Sequence, residues 1–186
     1  MTTANFAASS PDRTKARVRL RPTMTSDLPF VISLEQDESN LAFITPWERT
    51  QHEAAIRFPD FRHFIIEGGP ELDAVGFLIL IGCRSQHQSL ELKRMVVQAK
   101  GSGFGRAALR VAKKVAFDDL GAHRLWLDLQ ARNSRAKALY DSEGFVVEGE
   151  LRDAVKGSDG FETLVVMSML RPEFTGRRSL GLELRA

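Results

Sequence analysis

The chain has 186 residues, 43% of them hydrophobic, with 26 basic against 24 acidic side chains and a formal net charge of +2. That length supports one well-packed core, and so even a charge balance does not argue for a nucleic-acid partner. No apolar run has membrane-spanning length, the N-terminal stretch lacks a signal-type apolar segment, and one cysteine with four scattered histidines gives neither an internal disulfide nor a metal-ligand spacing. The expectation is a cytoplasmic enzyme without a metal and without direct contact to nucleic acid or membrane.

Residues 1–16 are rich in Ala, Ser and Thr without periodicity and read as a disordered arm. Residues 17–174 read as one domain, and 175–186 as a loosely held tail. Val18, Leu20 and Pro22 make a short first strand, after which Thr25 or Ser26 caps a helix running through Leu28, Val31, Ile32 and Leu34. An irregular apolar stretch follows, containing Phe43 and Trp47. Thr50 and Glu53 have capping-box spacing and open a helix that ends before Pro59. Three strands come next, over 61–67, 74–82 and 90–97, joined by turn residues in a hairpin or meander. Cys83 ends an apolar run and reads as a buried thiol.

Beyond Lys100 the period changes. Ala107, Ala108, Val111, Ala112, Val115 and Ala116 form a small-residue stripe that lets a helix approach a sheet closely, and Gly121 ends it. Residues 123–130 are a strand with Leu125, Leu127 and Leu129 on one face. Asn133 or Ser134 caps another helix, which Gly144 stops. Residues 145–147 and 163–170 are the final strands, with a polar loop at 153–160 between them. The apolar strand 164–170 is either covered within the chain or free to pair with a second copy, so both monomer and homodimer are open. The fold class is α/β, a mixed, mostly antiparallel sheet with helices.

The chemistry gathers at the glycine turn. Gly101, Gly103 and Gly105 alternate directly after a β-branched run and directly before a helix. Glycines permit the tight turn and a close ligand approach, and the first N–H groups of the helix are free to face a diphosphate. Lys100 and Arg106 add charge. A Walker A loop is absent. Gly103, Gly105 and Ala108, with Asp128 further on, match a loose dinucleotide fingerprint, but one that starts too late in too short a chain.

Together, KGSGFGRAALRVAKK and LWLDLQARNSRAKALYDSEGF resemble the GCN5-related N-acetyltransferase (GNAT) superfamily, with Lys100 where the family usually carries Arg or Gln. The segments ITPW, FRHFIIE and LRDAVKGSDGFETLVVMSMLRPEF are similar to the branch that acetylates protein N-termini, including those of ribosomal proteins. The resemblance implies a GNAT-type twisted sheet flanked by helices, with acetyl-CoA as the acyl donor and a primary amine as acceptor. The preferred acceptor is a peptide or ribosomal protein N-terminus; the alternatives are a small-molecule amine such as an antibiotic or polyamine, or a non-catalytic acyl-CoA-binding module.

The site that the resemblance implies is specific. Met95 and Val97 lend backbone groups to the acetyl carbonyl and pantetheine arm. Lys100, Gly101, Ser102, Gly103, Phe104, Gly105 and Arg106 form the diphosphate turn, and Asn133 and Arg135 contact the cofactor further along. Tyr140 stands near the thioester sulfur as general acid, and Glu91 occupies the strand position of a general base, with Glu35 and Glu148 as alternatives. An alkyl ammonium must lose its proton before it attacks, and a Met95 N–H can stabilise the oxyanion that forms.

Overall fold

The computed structural model describes residues 18–157, 160–179 and 181; the expected arm at 1–16, residues 158–159 and most of the segment after 179 lie outside the described residues. Among the described residues seven strands form one sheet in the order β1-β2-β3-β4-β5-β7-β6. Strands β1 (Val18–Pro22), β2 (Phe61–Gly68), β3 (Asp73–Ile81) and β4 (Ser89–Val97) pair antiparallel in sequence. Strand β5 (Arg124–Gln130) runs parallel to β4, β7 (Gly160–Leu170) antiparallel to β5, and β6 (Val146–Gly157) occupies the edge. The apolar strand 164–170 is therefore interior, covered by β6 within the same chain.

The hairpin of β6 and β7 is longer than its composition indicates. The polar residues read as a loop continue the ladder to Gly157 opposite Gly160, and an irregularity between Leu151 and Val155 absorbs Asp153 at φ 52°. Cross-strand pairing, which a local reading does not register, outweighs the low strand propensity of these residues.

Among the described residues six α-helices flank the sheet: α1 (Leu28–Gln36), α2 (Glu38–Leu41), α3 (Arg49–Arg57), α4 (Phe104–Lys114), α5 (Ser134–Ser142) and α6 (Arg171–Ser179). Neither Thr25 nor Ser26 caps α1; both lie in a 3-10 turn, and the Met24 N–H donates to the Asp27 carboxylate at 2.8 Å. The capping box of α3 starts at Glu48, whose N–H donates to Gln51 Oε1 at 2.8 Å, while Glu53 instead pairs with Arg49 at 2.9 Å. Beyond α4 the chain widens into a π-helical turn, Val115–Asp119, and Phe174 of α6, at the end of the expected domain, stacks on Phe117 at 4.8 Å. Residues 175–179 continue that helix, and Arg178 pairs with Asp118 at 2.9 Å.

Each face of the sheet has its own core. The stripe of α4, including Ala108, Leu109 and Ala112, packs on Leu78, Leu80, Leu90, Leu92, Leu125 and Leu127. On the opposite face Val31 and Leu34 of α1 pack on Ile65, Phe77, Ile79 and Val96. The small residues of α4 allow the close approach anticipated from their spacing.

Candidate active site

The parallel pairing of β4 and β5 covers three positions, Ser89 with Arg124, Leu90 with Leu125 and Glu91 with Trp126. Past Glu91 the strands diverge. Strand β4 keeps β3 on its other side as far as Val97, so its main chain on the β5 side has no strand partner and faces the gap. A register shift between Ile79 and Leu80, opposite Lys93, sets the side chains: Met95 and Val97 turn toward the α4 face, and Val96 toward α1.

The gap opens into a cleft of about 720 Å³. Met95 and Val97 line it together with Lys100, Gly101, Gly103, Gly105 and Arg106 of the turn and Asn133, Arg135, Leu139 and Tyr140 around α5. Gly101 and Gly103 adopt left-handed backbone angles, φ 83° and 87°, and Gly103 is the N-cap of α4 with no side chain to occupy the first amides. A Cβ added at Gly101 would lie 3.6 Å from the Arg135 guanidinium, which therefore sits over the turn. Two members of the expected cofactor set serve the turn from behind. Ser102 Oγ donates to the Ala99 carbonyl at 2.6 Å, and the Phe104 ring packs against Gly68, away from the cleft lining.

Cations surround this cradle. Arg106 reaches both the cleft and the buried Glu143, to which it donates at 2.7 Å; Arg110 and Lys113 converge on the same carboxylate at 3.0 and 3.1 Å. Burial works to raise the Glu143 carboxyl, yet Arg110, Lys113 and Arg106 together hold it below the usual glutamate range. Of these cations Arg106 also lines the cleft beside the turn. Asn133 caps α5 by accepting the Ala136 N–H at 3.1 Å, as its position before the helix indicates.

Tyr140 lines the cleft from α5, with its ring edge-on to Phe145 at 5.6 Å. Burial pushes its hydroxyl up to about 12, so it keeps its proton at neutral pH. Glu91 sits at the closed end of the fork, outside the cleft lining, and Lys93 donates to its carboxylate at 3.0 Å. The other two carboxylates weighed as bases are engaged elsewhere: Glu35 is buried against Arg94, and Glu148 binds Arg124 and accepts from Ser168 at 2.7 Å.

The opposite bank comes from α2 and the loop after it, which place Ser39, Asn40, Phe43 and Ile44 in the lining. Phe43 and Ile44 were foreseeable as apolar residues in an irregular stretch; Ser39 and Asn40 carried no local signal. Cations from the cofactor side cross to this bank: Lys100 donates to the Ser39 carbonyl at 2.8 Å, and Arg132 donates to the Ala42 carbonyl at 2.7 Å with its guanidinium 5.6 Å from the Phe43 ring. Trp47 lies outside this cleft and packs against Arg94 and His52.

The family model for the acetyltransferase (GNAT) domain matches residues 17–146. The chain belongs to the GNAT acetyltransferase family. Spermidine N(1)-acetyltransferase of Vibrio cholerae serotype O1 is 22% identical over 87% of this chain and 98% of that protein. Its counterpart in Escherichia coli K12 is 27% identical over 72% of this chain and 75% of the relative. A crystal structure of the Vibrio cholerae spermidine N-acetyltransferase with CoA and spermine superposes with a TM-score of 0.77, at 23% identity over 85% of this chain and 98% of that one. This GNAT protein is an acetyl-CoA-dependent N-acetyltransferase with a primary amine as acceptor, on the mixed, mostly antiparallel sheet expected. The glycine cradle, its open amides and the flanking cations fit a diphosphate-bearing cosubstrate. Among the described residues no three His, Cys, Asp or Glu side chains are grouped to hold a metal ion, and no helix is long and apolar enough to cross a membrane.

Proposed function

We propose that this N-acetyltransferase acts on a small polycationic amine of the spermidine type, by direct attack within a ternary complex and without a covalent acyl-enzyme. The observation that carries the reading is the match to proteins named for spermidine acetylation over most of this chain. The protein N-terminus preferred from sequence rested on resemblances at 44–47, 61–67 and 151–174, and the relatives favour the small-amine alternative over it. Surface chemistry supports the same choice. Leu125, Leu127 and Leu129 face the α4 core, so Asp128 lies on the other face of β5, two residues beyond the last rung of the fork. Its carboxylate makes no hydrogen bond or ion pair with a described residue, which leaves it available to a second ammonium group.

Acetyl-CoA supplies the thioester carbonyl and the thiol leaving group. In this reading the first amides of α4, with Lys100, Arg106 and Arg135, hold the diphosphate. The main-chain N–H of Met95 donates to the carbonyl oxygen as charge develops on it. Tyr140, protonated at neutral pH, delivers a proton toward the departing sulfur. Glu91 takes the ammonium proton through water, which requires the Lys93 side chain to swing away. Positioning accounts for much of the rate, so loss of Glu91 alone leaves measurable turnover.

Calorimetric titration with acetyl-CoA, followed by a free-thiol assay, tests this. Spermidine and spermine should exceed an N-terminal peptide at least tenfold in kcat/KM. A peptide preferred over both would overturn the polyamine reading and leave the acetyltransferase assignment standing.

A further inference from the structure

Opposite the cleft, on the α1 face of β4, a polar network is buried in the core. The Arg94 guanidinium binds the Glu35 carboxylate, donates to the Thr45 carbonyl at 2.8 Å and lies 5.1 Å from the Trp47 ring. Glu35 in turn accepts the Trp47 N–H at 2.6 Å, and its other close neighbour is His52 Nε2 at 3.4 Å. The side chains of Glu35 and Arg94 are 1% and 8% exposed. Burial works to raise the Glu35 carboxyl, but His52, Arg94 and the Trp47 amide hold it below the usual range. A buried carboxylate held below the usual range by such partners is poorly suited to take a substrate proton.

What the pair holds is more informative than what it costs. A buried ion pair adds little net stability over apolar residues of the same size, so its presence calls for another account. Both partners grip one short segment, Arg94 at Thr45 and Glu35 at Trp47. The two residues just before that segment, Phe43 and Ile44, line the cleft. The residue just after Arg94 is Met95, which lines the facing bank. One interaction therefore ties the two banks together from behind, across 59 positions of sequence.

We propose that Arg94 and Glu35 are positioning residues for acetyl transfer, setting the Phe43–Ile44 bank at a fixed distance from the Met95 strand and so the approach of the amine to the thioester. This rests on the reading of the cleft as the acetyl-CoA site. Neither side chain touches substrate. A displacement of about 1 Å in such a constellation is worth on the order of a hundredfold in rate, whereas the cofactor cradle, built on the glycine turn and α5, is untouched by the pair.

The decisive variant replaces the pair by apolar residues, Glu35→Leu with Arg94→Met. It should melt at or above the wild-type temperature and bind CoA with an unchanged Kd, while kcat/KM for the amine falls tenfold to a hundredfold. A folded, CoA-binding double variant with kcat and KM for the amine within twofold of wild type overturns the proposal. Should that variant fail to fold, Arg94→Lys, which keeps the charge but replaces the planar fork spanning Glu35 and Thr45 by a single ammonium, should lower kcat/KM for the amine at least fivefold with CoA affinity unchanged; wild-type kinetics there overturn it equally. The amine used is whichever one the wild-type chain acetylates, so a wrong acceptor class appears in the wild-type assay alone. Wild-type protein that binds no CoA removes the reading of the cleft, and this proposal with it.

Discussion

The cofactor bank and the acceptor bank of the cleft are held by interactions of different range. On the cofactor side the decisive features are local: two left-handed glycines, a helix that begins without a side-chain cap, and an asparagine that caps the next one. On the acceptor side the four-residue helix α2 and the loop behind it depend on distant partners, with Lys100, Arg132, Arg94 and Glu35 each reaching that bank. The cradle is thus specified by short stretches of chain and the facing bank by the assembled fold. Cofactor affinity and amine turnover should accordingly respond to different mutations.

Gly103→Val gives the largest separation. A β-branched residue is strained at φ 87° and would crowd the open amides, so CoA affinity should fall at least a hundredfold by calorimetry. Undiminished affinity would show that the turn does not cradle the diphosphate. Tyr140→Phe tests the other quantity: kcat should drop about a hundredfold, at the lower end of the usual range for proton transfer, with the Kd for CoA unchanged. Asp128→Asn is smaller and more selective. The KM for spermidine should rise roughly fivefold, as expected for one charge pair outside the core, with little change for a monoamine; an equal rise for both would remove Asp128 from polyamine recognition.

The smallest effect concerns stability. His63, buried beside His52 with Thr23 Oγ1 at 2.9 Å, is pushed down to about 4, first by burial and then by its neighbour's charge. Its folded value lies below the unfolded value of about 6.5, so it costs nothing above pH 6.5. Stability is lost as pH falls from there toward 4, because the unfolded chain takes up the proton first. Between pH 7 and 5.5 the loss is about 1 kcal/mol. His63→Gln should flatten that part of a melting-temperature profile by a few degrees; an unchanged slope would place the pH dependence in the carboxylates instead.

Legibility in the sequence follows the same division. The strands at 61–67, 74–82 and 90–97 and the α4 stripe were readable because apolar alternation and small-residue spacing are local patterns, and their ends agree with the structure to within a residue or so. The glycine turn announced the cradle for the same reason. Glu35 was visible as an acid but not as the partner of Arg94, since nothing in either neighbourhood encodes a contact 59 residues away. The long β6 and β7 ladder and the docking of Phe174 on Phe117 were hidden likewise, one behind polar residues and the other behind a π-helical turn that widens the end of α4.

The three rungs that join β4 to β5 make a lever. Six residues of β4 extend beyond the last rung, a reach of about 20 Å at 3.3 Å per residue. A rotation of only about 3° at the rungs therefore moves the tips by about 1 Å, the scale that matters for reacting atoms. So short a hinge on so long an arm gives the sheet little stiffness of its own against opening. Lys100 and Arg132, past the ends of the two strands, and Arg94 with Glu35, midway along the β4 arm, are the contacts placed to resist it.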